Sequence, residues 1–83
     1  MKITIDIHMI INGTRALQSG VFQVNREVDI PSVAYNWIRS VRRQTGYYGD
    51  ESMIEKVVWN ADNNITDEVK KIDDAPIIGP HHL

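Results

Sequence analysis

The chain contains no cysteine. A disulfide framework, a thiol nucleophile and a cysteine-type zinc site are therefore excluded. Small secreted domains often depend on disulfides, so a reducing, cytoplasmic setting is expected. Long apolar runs are also missing. The one candidate, residues 3–11, is interrupted by Asp6 and His8, and nothing approaches the ~20 residues of a membrane span. No membrane partner is expected. Lys2 precedes that run, but no Ala-x-Ala-like site follows, so it does not read as a targeting peptide. There is no nucleophile elbow, glycine-rich phosphate loop or His-Glu-x-x-His element. Ser19 and Ser32 have readier explanations as turn and cap residues, and a chain this short leaves little room for a closed pocket. The expected role is non-enzymatic, without cofactor or metal.

What is present is an uneven charge. Residues 1–49 carry Lys2, Arg15, Arg26, Arg39, Arg42 and Arg43 against Asp6, Glu27 and Asp29. Residues 50–83 carry Lys56, Lys70 and Lys71 against eight acidic residues. The net charge of −2 thus hides a basic front and an acidic back. If the two ends stay apart the molecule is a dipole, which favours steering and self-association. The overall acidity argues against general coating of nucleic acid and leaves room for a local basic patch. An 83-residue chain makes one domain and buries only roughly 60–65% of its unfolded surface.

Residues 3–11 alternate Ile3, Ile5, Ile7, Met9 and Ile11 with Thr4, Asp6 and His8, the pattern of a strand with one buried face. Asn12-Gly13 predicts a two-residue type I′ turn. The return strand, 14–24, then places Thr14 opposite Ile11, Ala16 opposite Met9 and Phe22 opposite Ile3. Ala16, Phe22 and Val24 share the core side, and Leu17 and Val21 point the other way. Ser19-Gly20 is a candidate bulge. In 33–45, Ala34, Trp37, Ile38 and Val41 fall on one stripe at helical spacing. Pro31 opens this helix, Ser32 or Asp29 is its expected cap, and Gly46 its stop. Trp37 is expected to be largely buried. Residues 53–60 read as a strand and 61–64 as a turn. Residues 65–72 read as a short helix, with a strand as the alternative. The expected fold class is α+β: a small β-β-α-β domain over 1–74, with one amphipathic helix on a mostly antiparallel sheet. Residues 75–83 are expected to form an extended or disordered tail.

Tyr35, Arg39, Arg42 and Arg43 lie on the flank of the helix away from the Trp37–Ile38 stripe, and Tyr47 and Tyr48 follow. Guanidinium groups bind carboxylate or phosphate bidentately, and tyrosine rings stack on bases or arginines. These six residues are the candidate contact surface for a partner or anion. Arginines near a helix end are also favoured by the dipole alone. Ile10 and Ile11 are consecutive at the hairpin tip and cannot share one face, which makes them a candidate interface. Ile77-Ile78 between prolines is a candidate edge-binding motif. His8 shares a strand face with Asp6, which suggests a surface ion pair. His81 and His82 read as solvated. Asp62-x-Asn64-x-Thr66 has the opening of a calcium loop, but Asp67 stands where that loop needs glycine, so a plain turn is expected.

In its shortness, acidity and lack of cysteine and motifs, the chain resembles the accessory proteins carried by phages and mobile elements. That resemblance implies a small regulator or inhibitor of a larger protein. The leading expectation is a protein-binding module, with a homodimer as one form. The alternative is a nucleic-acid contact module using the Tyr35–Arg43 flank. The second alternative is a small enzyme or metal binder.

Overall fold

The period-two alternation near the start of the chain is realised as strand β1, Lys2–Ile11. In the computed structural model, which describes residues 1–75, Ile3, Ile5, Ile7 and Met9 of β1 are each at most 2% exposed. Asn12 and Gly13 have φ of 50° and 78°, as a type I′ turn requires. Strand β2, Thr14–Gln23, returns with Thr14 opposite Ile11, Ala16 opposite Met9 and Phe22 opposite Ile3. These are the pairs expected from the turn length. The register of β2 against β1 is unbroken, so Ser19-Gly20 is not a bulge. Gly20 instead makes room for two rings. A Cβ there would lie 2.9 Å from Phe22 and 3.2 Å from Trp37. Gly20→Val is expected to cost about 1–3 kcal/mol by forcing both rings to shift. An unchanged urea midpoint would show that the rings do not hold this position.

Helix α1, Ile30–Thr45, has Pro31 in its first turn and ends at Gly46, whose φ is 79° and whose N–H donates to the Arg42 carbonyl at 2.8 Å. Neither Asp29 nor Ser32 caps it through a side chain; Asp29 pairs with Arg26 at 3.2 Å instead. Ile30, Ala34, Ile38 and Val41 are buried. Trp37 is only partly buried, which corrects the expectation. It lies at the margin of the stripe, over the outermost strand, with its ring centroid 4.9 Å from that of Phe22.

Strand β3, Ser52–Trp59, pairs with the other side of β1, and the register shifts between His8 and Met9. A two-residue strand β4, Asn63–Asn64, pairs with the end of β3. Helix α2, Thr66–Asp74, resolves the ambiguity of that segment in favour of a helix. The Asn64 side-chain oxygen accepts from the Thr66 N–H at 2.9 Å and from its hydroxyl at 2.6 Å. The turn expected over 61–64 is thus confined to residues 60–62, and 63–64 pair as β4 before Asn64 leads into α2.

The sheet order is β2-β1-β3-β4, with antiparallel pairing throughout. One core joins the inward face of this sheet to Ile30, Ala34, Ile38 and Val41 of α1 and Val69 of α2. The fold is a small two-layer α+β domain. Its other sheet face carries Leu17, Val21 and Met53, which are 63%, 63% and 50% exposed. Ile10 lies on that open face and Ile11 packs against the core, so the two consecutive isoleucines do part company. No helix among the described residues is long and apolar enough to cross a membrane. Ile77-Ile78, His81, His82 and all but the first residue of the expected tail lie outside the described residues.

Candidate functional site

Four residues of α1 carry the candidate surface, and the helix twist divides them. Arg42 follows Ile38 by one turn, so it sits beside the buried stripe. There α2 and β3 close over it, leaving the residue 7% exposed. This corrects the expectation that Arg42 faces outward with Arg39 and Arg43. Its guanidinium donates to Asp73 Oδ1 at 2.7 Å and Oδ2 at 3.2 Å. It also donates to the Ser52 carbonyl at 2.7 Å and to Ser52 Oγ at 3.2 Å. Tyr35, two turns earlier, donates its hydroxyl to Asp73 Oδ1 at 3.1 Å. The Arg42 guanidinium holds the Asp73 carboxyl below its ordinary pKa, against the opposing effect of burial, with a smaller contribution from the Tyr35 hydroxyl. Burial and then the Asp73 carboxylate push the Tyr35 hydroxyl up. The Asp73 bond raises Arg42 in turn. This cluster ties α1, α2 and β3 together, so its first duty is structural.

Arg39 and Arg43 point elsewhere. Both are exposed, and neither has a hydrogen-bond or ion-pair partner among the described residues. Sitting four residues apart, they are surface neighbours on the helix. With Tyr35, Arg42 and Tyr48 they line an open recess of about 230 Å³. Tyr48, which follows α1 in the chain, is 57% exposed. Five of the six residues singled out in the sequence therefore come together. Tyr47 does not line the recess; it is half-buried, and its N–H lies 3.4 Å from Thr45 Oγ1.

A second recess, which shares Arg42 with the first, is lined in part by Asp50, Lys70, Asp73 and Asp74. Arg42 thus belongs to both a basic hollow and one of mixed charge. The basic helix and the acidic helix lie side by side, so the charge split of the sequence is partly neutralised within the fold. A third hollow, near His8, Glu55 and Lys56, also includes Asp67 and Glu68. No group of three or more His, Asp or Glu side chains among the described residues is placed to hold a metal ion. Asp6 accepts from the Ser19 hydroxyl, and it forms no ion pair with His8 among the described residues.

Sequence reasoning missed Asp73 and Ser52. Asp73 had a signal: it follows Val69 by one turn and so shares its inward side. Ser52 had none, because its role depends on where the start of β3 meets α1. Compared with known protein families, curated proteins and solved structures, the chain matches none.

Proposed function

We propose that the chain is a non-enzymatic protein-binding module that takes a short acidic segment of a larger protein into the Arg39–Arg43–Tyr48 recess. One observation carries this reading: two adjacent exposed guanidiniums have no partner among the described residues, while a third arginine beside them is fully engaged in holding the fold. Carboxylates are the groups that such pairs bind bidentately. The exposed Tyr48 ring beside them would equally suit a stacked base. A protein segment is favoured by what surrounds the recess. Asp50 and Glu51 follow Tyr48 in the chain, and α2 carries Asp67, Glu68, Asp73 and Asp74. A nucleic-acid strand has a negative charge at every step and would run on past these groups. A protein segment can place its carboxylates only where the arginines are.

The test is an NMR titration of the labelled protein with a hexaglutamate peptide and, separately, with a single-stranded oligonucleotide of equal charge. The peptide is expected to shift amides around Arg39, Arg43 and Tyr48. The variant with Arg39→Gln and Arg43→Gln should lose those shifts and keep its stability within about 0.5 kcal/mol, as exposed substitutions do. Peptide binding that survives in the variant, or no shifts at all, would overturn the reading. Tighter binding of the oligonucleotide at the same amides, falling steeply with salt, would replace it with the nucleic-acid one.

A further inference from the structure

Strand β2 is an outer strand of the sheet, and among the described residues no strand pairs with its outer side. It is ten residues long, and its register against β1 is continuous. The opposite edge, β4, is only two residues long. Natural sheets protect long edges with proline, lysine, bulges or a covering element. Between Thr14 and Gln23 there is no proline, no lysine and no bulge. The one charge, Arg15, lies 3.6 Å from Glu55.

The free hydrogen-bonding groups of β2 can be assigned. Met1 and Val24 exchange both backbone bonds. In an antiparallel ladder such exchanging pairs recur at every second residue. Thr14, Ala16, Gln18, Gly20 and Phe22 therefore turn their N–H and C=O groups toward β1. Arg15, Leu17, Ser19, Val21 and Gln23 turn theirs outward, to the open edge.

The strand also complements itself. Two antiparallel copies related by a twofold axis through Ser19 bring outward groups against outward groups. Leu17 of each copy then faces Val21 of the other, on the open side of the sheet where both are 63% exposed. Ala16 of each copy faces Phe22 of the other, on the helix side, where Phe22 and Trp37 are only partly covered. Arg15 faces Gln23, so no like charges meet. Cross-strand apolar pairs are what stabilise a sheet and fix its register. A strand of unrelated sequence would have to supply all of these partners; a second copy already has them.

We propose that two copies of this chain associate through their β2 edges, antiparallel about Ser19, merging their sheets into one continuous sheet. This association uses the sheet edge, whereas the arginine recess lies in the helical layer, so neither inference depends on the other.

The absence of cysteine makes a clean test possible. At the symmetric position the two Ser19 Cα atoms would stand about 5.5 Å apart, within disulfide reach. Ser19→Cys should form a disulfide-linked dimer under mild oxidation. Gln23→Cys, on the same edge but far from the axis, should not. Sedimentation of the wild type should show the mass rising from monomer to dimer with concentration. The variant with Leu17→Lys and Val21→Lys sets lysine opposite lysine at exposed positions. It should weaken the dimer about tenfold or more and leave the monomer folded by circular dichroism. A wild type that stays monomeric up to millimolar concentration would overturn the proposal. So would equal cross-linking of the two cysteine variants, or a dimer unaffected by the lysine pair.

Discussion

Arg42→Ala is expected to remove about 3 kcal/mol, the lower end of the cost of breaking a buried ion pair by deleting one partner, because the Asp73 side chain keeps 26% of its surface exposed. For 83 residues the total stability is about 4–12 kcal/mol, so this variant loses a substantial part of it. The reason is local. Without the guanidinium, the Ser52 carbonyl and the Asp73 carboxylate each lose their charged donor, and Asp73 retains only the Tyr35 hydroxyl. Arg42→Met keeps most of the stem packing and should recover only a small part. Adding Asp73→Asn to Arg42→Met should recover more, because the stranded charge is then gone. A double-mutant cycle by urea denaturation measures this coupling. A loss below about 1 kcal/mol for Arg42→Ala, typical of an exposed ion pair, would mean that the cluster does not hold the helices.

The same cluster sets a pH dependence. The folded Asp73 carboxyl titrates below its ordinary value of 3.8. Its contribution is therefore complete above the unfolded value and is lost as pH falls through the folded one. Tyr35 has the opposite sign. Its folded hydroxyl titrates above the ordinary 10.0, so its contribution is complete below that value and is lost as pH rises beyond it. Asp73→Asn should flatten the acid limb of the stability profile and also shrink the alkaline limb, leaving there only what burial of the Tyr35 hydroxyl supplies.

The hairpin was legible because turn length and alternation fix register together. A two-residue turn after Ile11 leaves one pairing that puts Ala16 and Phe22 with the isoleucines, and that pairing is found. Helix α1 was legible for a similar reason: Pro31, the apolar spacing and Gly46 all agree. The place of β3 was not. Nothing in the order of strands says which side of a hairpin a third strand joins. The fold puts β1 inside the sheet and leaves β2 at its edge. The hint lay in composition, since β1 is rich in isoleucine and β2 carries Gln18, Ser19 and Gln23. The arginine flank was half legible. Helical geometry put four residues on one flank, but where that flank ends is set by α2, whose packing position the sequence does not state. Arg42 fell on the covered side of that boundary and Arg39 and Arg43 on the open side.

The second large effect is expected at Ile38 and provides a check on Trp37. Size alone ranks the tryptophan first, since deleting a fully buried one costs about 3–5 kcal/mol. Burial reverses the order. Ile38 is fully buried, in the core shared by the sheet and both helices. Its truncation to alanine leaves a cavity that β1 cannot fill, because Ile5 and Ile7 are themselves fully packed. Ile38→Ala should cost about 3–4 kcal/mol. Trp37 packs against Phe22 with the rings inclined at 54°, and the residue as a whole is only partly buried. Its loss removes that contact and part of its apolar area, so Trp37→Ala should cost only about 2–3 kcal/mol. Phe22→Leu should lower the cost of Trp37→Ala, since the two rings share one contact, and should leave the cost of Ile38→Ala unchanged. Urea denaturation followed by circular dichroism reads all three, since fluorescence would be altered by loss of the tryptophan itself. If Trp37→Ala proves costlier than Ile38→Ala, the tryptophan is covered by something beyond this single chain. A second copy paired along β2 would bring Ala16 opposite Phe22, close to the Trp37 ring. The same measurement at low and high protein concentration separates the two cases. A cost of Trp37→Ala that does not change with concentration assigns it to the monomer core, and a cost that grows assigns it to the paired edge.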